Sequence, residues 1–261
     1  MTSNSDLRQF ACEMALAAGK LIGDMAQKPL EVTTKGFRDT VTAADYAAQK
    51  LIVDLVRARY PEHGFIGEEE DDSLSDDAEV LWIIDPIDGT SNYARNVPLS
   101  TVSIAAAVNG VVVAGAIYDP SRGELFSAEL NKGAWLNNTP IQVSPIDDIG
   151  NAIVSFDWSR SQANRERMLA TLNNLAYEAK TLRSIGSAAI VMGWVAAGRI
   201  DVYFNFQLGA WDIAAGALII AEAGGKVSGL DNSPFDVQDS NTWTAISNGK
   251  LHPVFLDLLN R

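Results

Sequence analysis

The chain has 261 residues, 47% of them hydrophobic and 20% charged, with a formal net charge of −13. That composition suits a globular protein with one large core or two packed halves, and the acidic balance argues against non-specific binding to nucleic acid or anionic membrane, which needs clustered Lys and Arg. No apolar stretch approaches the ~20 residues that span a bilayer, Met1–Asp6 shows no secretory pattern, and the single cysteine, Cys12, allows no intrachain disulfide, so a reducing cytoplasm is the expected compartment.

The first predicted helix runs from Asp6 to Ala26, with Leu7, Phe10, Met14, Ala18, Leu21 and Met25 on one face. Cys12 falls within it and reads as an inert core residue. Lys35–Asp39 reads as a polar connector to a second helix starting near Thr42, whose buried stripe is Ala44, Ala48, Leu51, Ile52 and Leu55. Glu68–Asp77 is an acidic loop, and Val80–Ile84 a buried strand that Pro86 should end. Thr101–Val108, the turn Asn109-Gly110 and Val111–Tyr118 form the strongest hairpin signal. Glu124–Leu130 and Ala134–Val143 extend it as a meander.

After about Pro145 strands and helices alternate. Strands are expected at Ala152–Phe156, Thr181–Ile185, Asp201–Asn205, Lys226–Ser228 and Trp243–Ser247. Helices are expected at Arg165–Tyr177, Ser187–Ala197, Asp212–Ala223 and Pro253–Asn260. The expectation is an N-terminal α+β half over residues 1–146 and a C-terminal α/β half over 147–261, with a site where strand ends meet.

Acids collect where the chain changes direction. Asp85-Pro86-Ile87-Asp88-Gly89-Thr90 puts two carboxylates at a strand end, before a glycine turn and a hydroxyl at a helix start. That set suits hard cations and a phosphate; it equally fits an Asx turn that caps a helix. In Gly67-Glu68-Glu69-Glu70, Glu68 adjoins the apolar Phe65-Ile66 pair and is the acid that should point inward, while Glu69–Asp72 read as a solvated loop. Asp212 opens an apolar helix, where an N-cap and a metal ligand are compatible roles. Thr42-Ala43-Ala44-Asp45 fits a capping box. Gly186-Ser187-Ala188 opens a helix whose N–H groups could meet a phosphate. His63 and His252 sit in no metal or triad spacing and read as structural or surface residues. With no candidate base for a covalent nucleophile, metal-activated water is the expected chemistry. The cation would then supply the positive charge that this acidic chain lacks.

The ordered set Gly67-Glu68-Glu69, Asp85-Pro86-Ile87-Asp88-Gly89-Thr90-Ser91-Asn92-Tyr93 and Trp211-Asp212-Ile213-Ala214-Ala215-Gly216 resembles the inositol monophosphatase family. Lys35, Val41–Asp45, Gly186–Ala189 and Glu222–Gly225 extend the resemblance over essentially the whole chain. It implies a five-layer αβαβα sandwich, a homodimer, and a Mg²⁺-dependent, Li⁺-sensitive phosphatase in which Mn²⁺ can substitute. By that resemblance Glu68, Asp85 and the Ile87 carbonyl bind one Mg²⁺, and Asp85, Asp88 and Asp212 a second, with Glu68 reaching a third through water. Glu68 and Thr90 position and deprotonate the attacking water, with Asp45 bonded to Thr90. Gly89 and Thr90 hold the phosphate, Gly186, Ser187 and Ala188 lie along the substrate, and Lys35 supports the phosphate or metal site. The implied substrate is a small phosphorylated polyol or sugar, with inositol 1-phosphate foremost.

One position departs from the pattern. Asn205 stands where inositol-specific members carry a Glu, seven residues before Asp212. An amide carries no charge, so fructose 1,6-bisphosphate or histidinol phosphate, substrates of relatives, are the alternatives. A regulator that binds RNA or the transcription machinery is the alternative of another class.

Overall fold

The computed structural model describes residues 2–27, 32–36, 39–69, 78–235 and 242–260. In chain order the elements are α1 (Asn4–Met25), β1 (Val32–Gly36), β2 (Asp39–Thr42), α2 (Ala43–Arg59), β3 (Gly64–Gly67), β4 (Val80–Asp88) and α3 (Thr90–Tyr93). There follow β5 (Thr101–Val108), β6 (Val111–Asp119), β7 (Glu124–Glu129), β8 (Gly133–Leu136), β9 (Thr139–Pro140) and β10 (Ile153–Phe156). The remainder is α4 (Gln162–Glu178), β11 (Thr181–Ser184), α5 (Ala188–Ala196), β12 (Val202–Leu208), α6 (Ala210–Glu222), β13 (Lys226–Gly229), β14 (Thr242–Ser247) and α7 (His252–Leu259).

The period-two alternation of the strands builds two sheets with apolar faces on both sides. The larger has the order β3-β4-β5-β6-β7-β8-β9, antiparallel except for the β3–β4 pair. The smaller has the order β11-β10-β12-β14-β13, with β11, β10 and β12 parallel. On β4, Trp82 and Ile84 face α1 and α2, while Ile83 faces α5 and α6. On β12, Tyr203 faces that same α5–α6 layer, while Val202, Phe204 and Phe206 pack with Met168 and Leu175 of α4 and Phe255 of α7. The result is an αβαβα sandwich with α5 and α6 as its central layer. Small residues make that layer thin: a Cβ on Gly115 of β6 would lie 3.0 Å from the Ala215 carbonyl oxygen of α6.

Several expectations change in the structure. Of the expected connector Lys35–Asp39, Lys35, Gly36 and Asp39 lie in an antiparallel pair, β1–β2, for which Val32-Thr33-Thr34 and Thr40-Val41-Thr42 supply β-branched residues, and 37 and 38 lie outside the described residues. Strand β4 does not stop at Pro86; it runs to Asp88. Its register with β5 shifts between Asp85 and Asp88, so the proline falls at an irregularity where no ladder N–H is needed. The strand expected at Ala134–Val143 breaks at Asn137 and Asn138, both with positive φ, into the β8–β9 hairpin. Leu51 and Leu55 are only half-buried, and Val53 and Val56 complete the α2 stripe instead. Cys12, too, is only half-buried. Of the acidic loop, 70–77 lie outside the described residues.

Candidate active site

Strand β4 carries Asp85 and Asp88 into the space between the two sheets. Asp85 Oδ1 accepts from the Ile87 amide at 3.0 Å, a local turn that the Pro86 irregularity permits. Glu68 arrives beside it because β3 runs parallel to β4, and its amide donates to the Ile84 carbonyl at 3.2 Å. Asp212 comes from the second half as the third residue of α6, with Oδ2 accepting from the Gly209 amide at 2.7 Å. It is therefore not the N-cap itself, which is Gly209. One carboxylate oxygen each from Asp85, Asp88 and Asp212 lie within 4.8 Å of one another. All three and Glu68 line one cavity of about 680 Å³.

This crowding is electrostatically unfavourable without a cation. Burial pushes the Asp85 carboxyl well above its ordinary value, and Glu68, Asp88 and Asp212 push it further. Burial and then Asp88 raise Asp212 to about 7, against a pull from Arg160. Asp88 is also raised by burial, opposed by the donors Ser187, Ala189, Ala188 and Thr101. The ion pairs among the described residues leave these three aspartates out. Converging, mutually repelling carboxylates and a nearby main-chain carbonyl fit a hard divalent cation such as Mg²⁺.

Gly89 ends the strand with φ +88°, and a Cβ there would come within 2.7 Å of the Leu99 carbonyl oxygen, so only glycine fits. It, not Thr90, occupies the N-cap of α3. That leaves the Thr90 hydroxyl, with one hydrogen, in reach of two acceptors: the Ile87 carbonyl at 3.0 Å and Asp45 Oδ1 at 3.3 Å. Asp45 is fully buried, and its other oxygen closes the α2 capping box with the Thr42 amide at 2.8 Å and hydroxyl at 2.6 Å. Burial raises its pKa, against the Thr42 and Thr90 bonds.

The second sheet forms the facing wall. Ser187 Oγ and the Ala188 and Ala189 amides donate to Asp88, and the Gly186 amide donates to Asp157. The N–H groups of Gly186 and Ala188 are thus engaged by carboxylates rather than bare for a phosphate. Asn205 lines the cavity, yet its Nδ2 donates to the Tyr203 hydroxyl at 3.3 Å and its Oδ1 accepts from the Gln207 amide at 2.9 Å. Lys35 lies on β1, and its side chain is outside the described ones. Sequence reading missed Asp157, along with Arg160, Arg165 and Gln207, which also line the cavity. Asp157 directly follows an apolar strand, as Asp85 follows Val80–Ile84, and that parallel was the available signal. His63 accepts from Trp82 Nε1 at 3.1 Å, and His252 is buried between Ser228 and Ser247. Both are structural.

Comparison with known proteins agrees with this architecture. A sequence profile described as the inositol monophosphatase family matches residues 3–261. The chain is 39% identical over 221 residues to Nus factor SuhB of Pasteurella multocida, covering 84% of this chain and 83% of that one. It is 34% identical over 268 residues to inositol monophosphatase 1 of Solanum lycopersicum, covering 99% and 97%. The crystal structure of the extragenic suppressor protein suhB from Bartonella henselae superposes with a TM-score of 0.92 at 30% identity, covering 98% of each chain. The chain belongs to the inositol monophosphatase family, whose members include proteins named as phosphatases and proteins named SuhB.

Proposed function

We propose that this protein is a Mg²⁺-dependent phosphatase that hydrolyses a small phosphate monoester, with inositol 1-phosphate, giving inositol and phosphate, as the foremost substrate. The observation that carries this reading is the mutually repelling convergence of buried Asp85 and Asp88 with half-buried Asp212 beside Glu68. In this reading Glu68, Asp85, the Ile87 carbonyl, Asp88 and Asp212 hold two or three Mg²⁺ ions, or Mn²⁺ in their place. The metal supplies the positive charge that a phosphate dianion requires and acidifies the attacking water.

The chain's own residues do the rest. Glu68 accepts the proton of the attacking water. Thr90 Oγ1 orients that water through a lone pair while its hydrogen goes to Asp45, the acceptor left to it when the Ile87 carbonyl is a ligand. The Gly89 and Thr90 amides hold the phosphate. Gly186, Ser187, Ala188 and Asn205 lie along the leaving group, with Lys35 as a further support of the phosphate. A cytoplasmic homodimer is the assembly and compartment in keeping with the family.

A second reading has its own observation. Asn205 spends its amide on Tyr203 and Gln207, and Arg160 and Arg165 line the cavity. These features favour broader use of sugar phosphates, fructose 1,6-bisphosphate or histidinol phosphate included. A transcription-linked role, which the name of the Pasteurella relative suggests, is set against the net charge of −13 and the complete acidic set. The test is phosphate release from about a dozen phosphomonoesters with Mg²⁺ and with EDTA, an assay that reads transition-state discrimination as ratios of kcat/KM. Mg²⁺-dependent release led by inositol 1-phosphate is expected; no release from any ester would refute the enzymatic reading.

A further inference from the structure

Helix α5 begins in an unusual way. Its N-cap, Ser187, makes no side-chain bond to its own helix. Ser187 Oγ and the Ala188 and Ala189 amides turn instead to Asp88, which belongs to the other sheet. Whatever fixes the turn before α5 therefore fixes most of the donors that orient Asp88.

Two side chains fix that turn from opposite directions. Asn92 of α3 donates through Nδ2 to the carbonyls of Ile185 at 2.9 Å and Gly186 at 3.2 Å. Asp157 Oδ1 accepts from the amides of the same two residues at 3.0 and 2.6 Å, and from Ser184 Oγ at 3.4 Å. Its Oδ2 accepts from the Tyr203 hydroxyl at 3.2 Å. Gly186 sits at φ +80°, which glycine adopts without strain, so the two side chains set the position of the turn rather than force its shape.

Keeping a carboxylate here carries a cost. Burial raises Asp157 to about 6, and Asp88 repels it. Bonds from amides to a carboxylate are roughly twice as strong as neutral ones, and that strength is spent on the turn that feeds the Asp88 donors. We propose that Asp157 is a positioning residue for Asp88: by anchoring Ile185 and Gly186 it holds Ser187, Ala188 and Ala189 where they aim the Asp88 carboxylate into the acidic cluster. The proposal rests on the reading of Asp88 as a metal ligand.

The test compares wild type, Asp157→Ala and Asp157→Asn by two measurements. One is the Mg²⁺ concentration that gives half the maximal rise in Tm; the other is kcat and KM for the best substrate of the screen. Asp157→Ala should raise the Mg²⁺ midpoint about tenfold and lower kcat about tenfold, with KM moving less than about threefold. Asp157→Asn keeps an oxygen that can accept from both amides but loses the charge that strengthens those bonds, so it should fall between wild type and Asp157→Ala in both measurements. A residue that only supports the fold would lower Tm without moving the Mg²⁺ midpoint. A wild-type midpoint and kcat in Asp157→Ala overturns the proposal, and so does an Asp157→Asn variant as impaired as Asp157→Ala. If the alanine variant does not fold, Asp157→Ser, whose hydroxyl stops short of the two amides, takes its place under the same criteria. A wild type whose Tm ignores Mg²⁺ removes the phosphatase reading and this proposal together, whereas a responsive wild type with an unshifted alanine variant removes this proposal alone.

Discussion

The two walls of the cavity are built on opposite plans. The β4 wall brings Asp85, Asp88 and Glu68 together in mutual repulsion, with Asp88 held by donors from the other side, and Asp212 joins them from α6. The wall from β10 and β12 satisfies its polar groups internally: Asp157 with Ile185, Gly186 and Tyr203, and Asn205 with Tyr203 and Gln207. The first wall is costly until a cation arrives; the second is already organised and supplies shape. Substitutions in the first should therefore act on chemistry and metal response directly, and those in the second at one remove, through the aim of Asp88 at Asp157 and through selectivity at Asn205.

The largest expected effect is on turnover. Asp88→Asn and Asp85→Asn should each reduce phosphate release at least about a hundredfold with the fold intact, since an amide is a much weaker partner for a hard cation. Far-ultraviolet circular dichroism beside a phosphate assay checks both halves of that statement, and near-wild-type release at saturating Mg²⁺ would dissolve the contrast between the walls. Thr90→Ala should come next, with a loss of about ten- to a hundredfold in kcat from removing the hydroxyl that orients water. A drop confined to KM would assign Thr90 to binding alone.

A smaller effect concerns pH. Asp212 has a folded pKa of about 7, above its unfolded value near 3.9. Its stabilisation is therefore complete below pH ~4 and is lost as pH rises through ~7. His252, depressed to about 4, works in the opposite sense but only below its unfolded value near 6.5. Between pH ~6.5 and ~8 the metal-free protein should lose about 2–4 °C in Tm. Asp212→Asn should flatten that slope, and so should Mg²⁺. A metal-free Tm that rises across this window would contradict the crowding described for the β4 wall.

The smallest effect belongs to the second wall. Asn205→Glu should raise kcat/KM for inositol 1-phosphate relative to glycerol 2-phosphate by up to about tenfold, or ~1.4 kcal/mol. The gain is limited because the new carboxylate would share Tyr203 with Asp157. An unchanged ratio would mean that position 205 does not read the leaving group.

Local patterns made much of this legible in the sequence. The Asn109-Gly110 turn has both residues at positive φ, as its dipeptide announces, and the unbroken apolar run on β4 reports two buried faces. The acids at 85, 88 and 212 were visible because each interrupts an apolar run. What stayed hidden depends on distant partners. The parallel β3–β4 pair that carries Glu68 to Asp85 joins segments with no local signal of contact. Pro86 reads as a strand end unless the shifted pairing with β5 is known. The amides of Gly186 and Ala188 read as free until Asp157 and Asp88 are seen to occupy them. Asp157 shares with Asp85 its place after an apolar strand, but with no second acid and no glycine turn behind it that signal is weak beside the reading as a turn acid.

The central claim, that the β4 wall is a divalent-cation site, is tested most directly by thermal melts of wild type and Asp85→Asn at pH ~7.5, each with EDTA and with Mg²⁺. Metal binding to the folded state alone raises Tm, and removing a buried repelling charge raises the metal-free Tm by about 2–4 °C for each kcal/mol relieved. Mg²⁺ should raise the wild-type Tm, while Asp85→Asn should melt higher than wild type in EDTA and gain little from Mg²⁺. A wild-type Tm that is the same in EDTA and Mg²⁺, or an Asp85→Asn variant that responds to Mg²⁺ as wild type does, would contradict the claim.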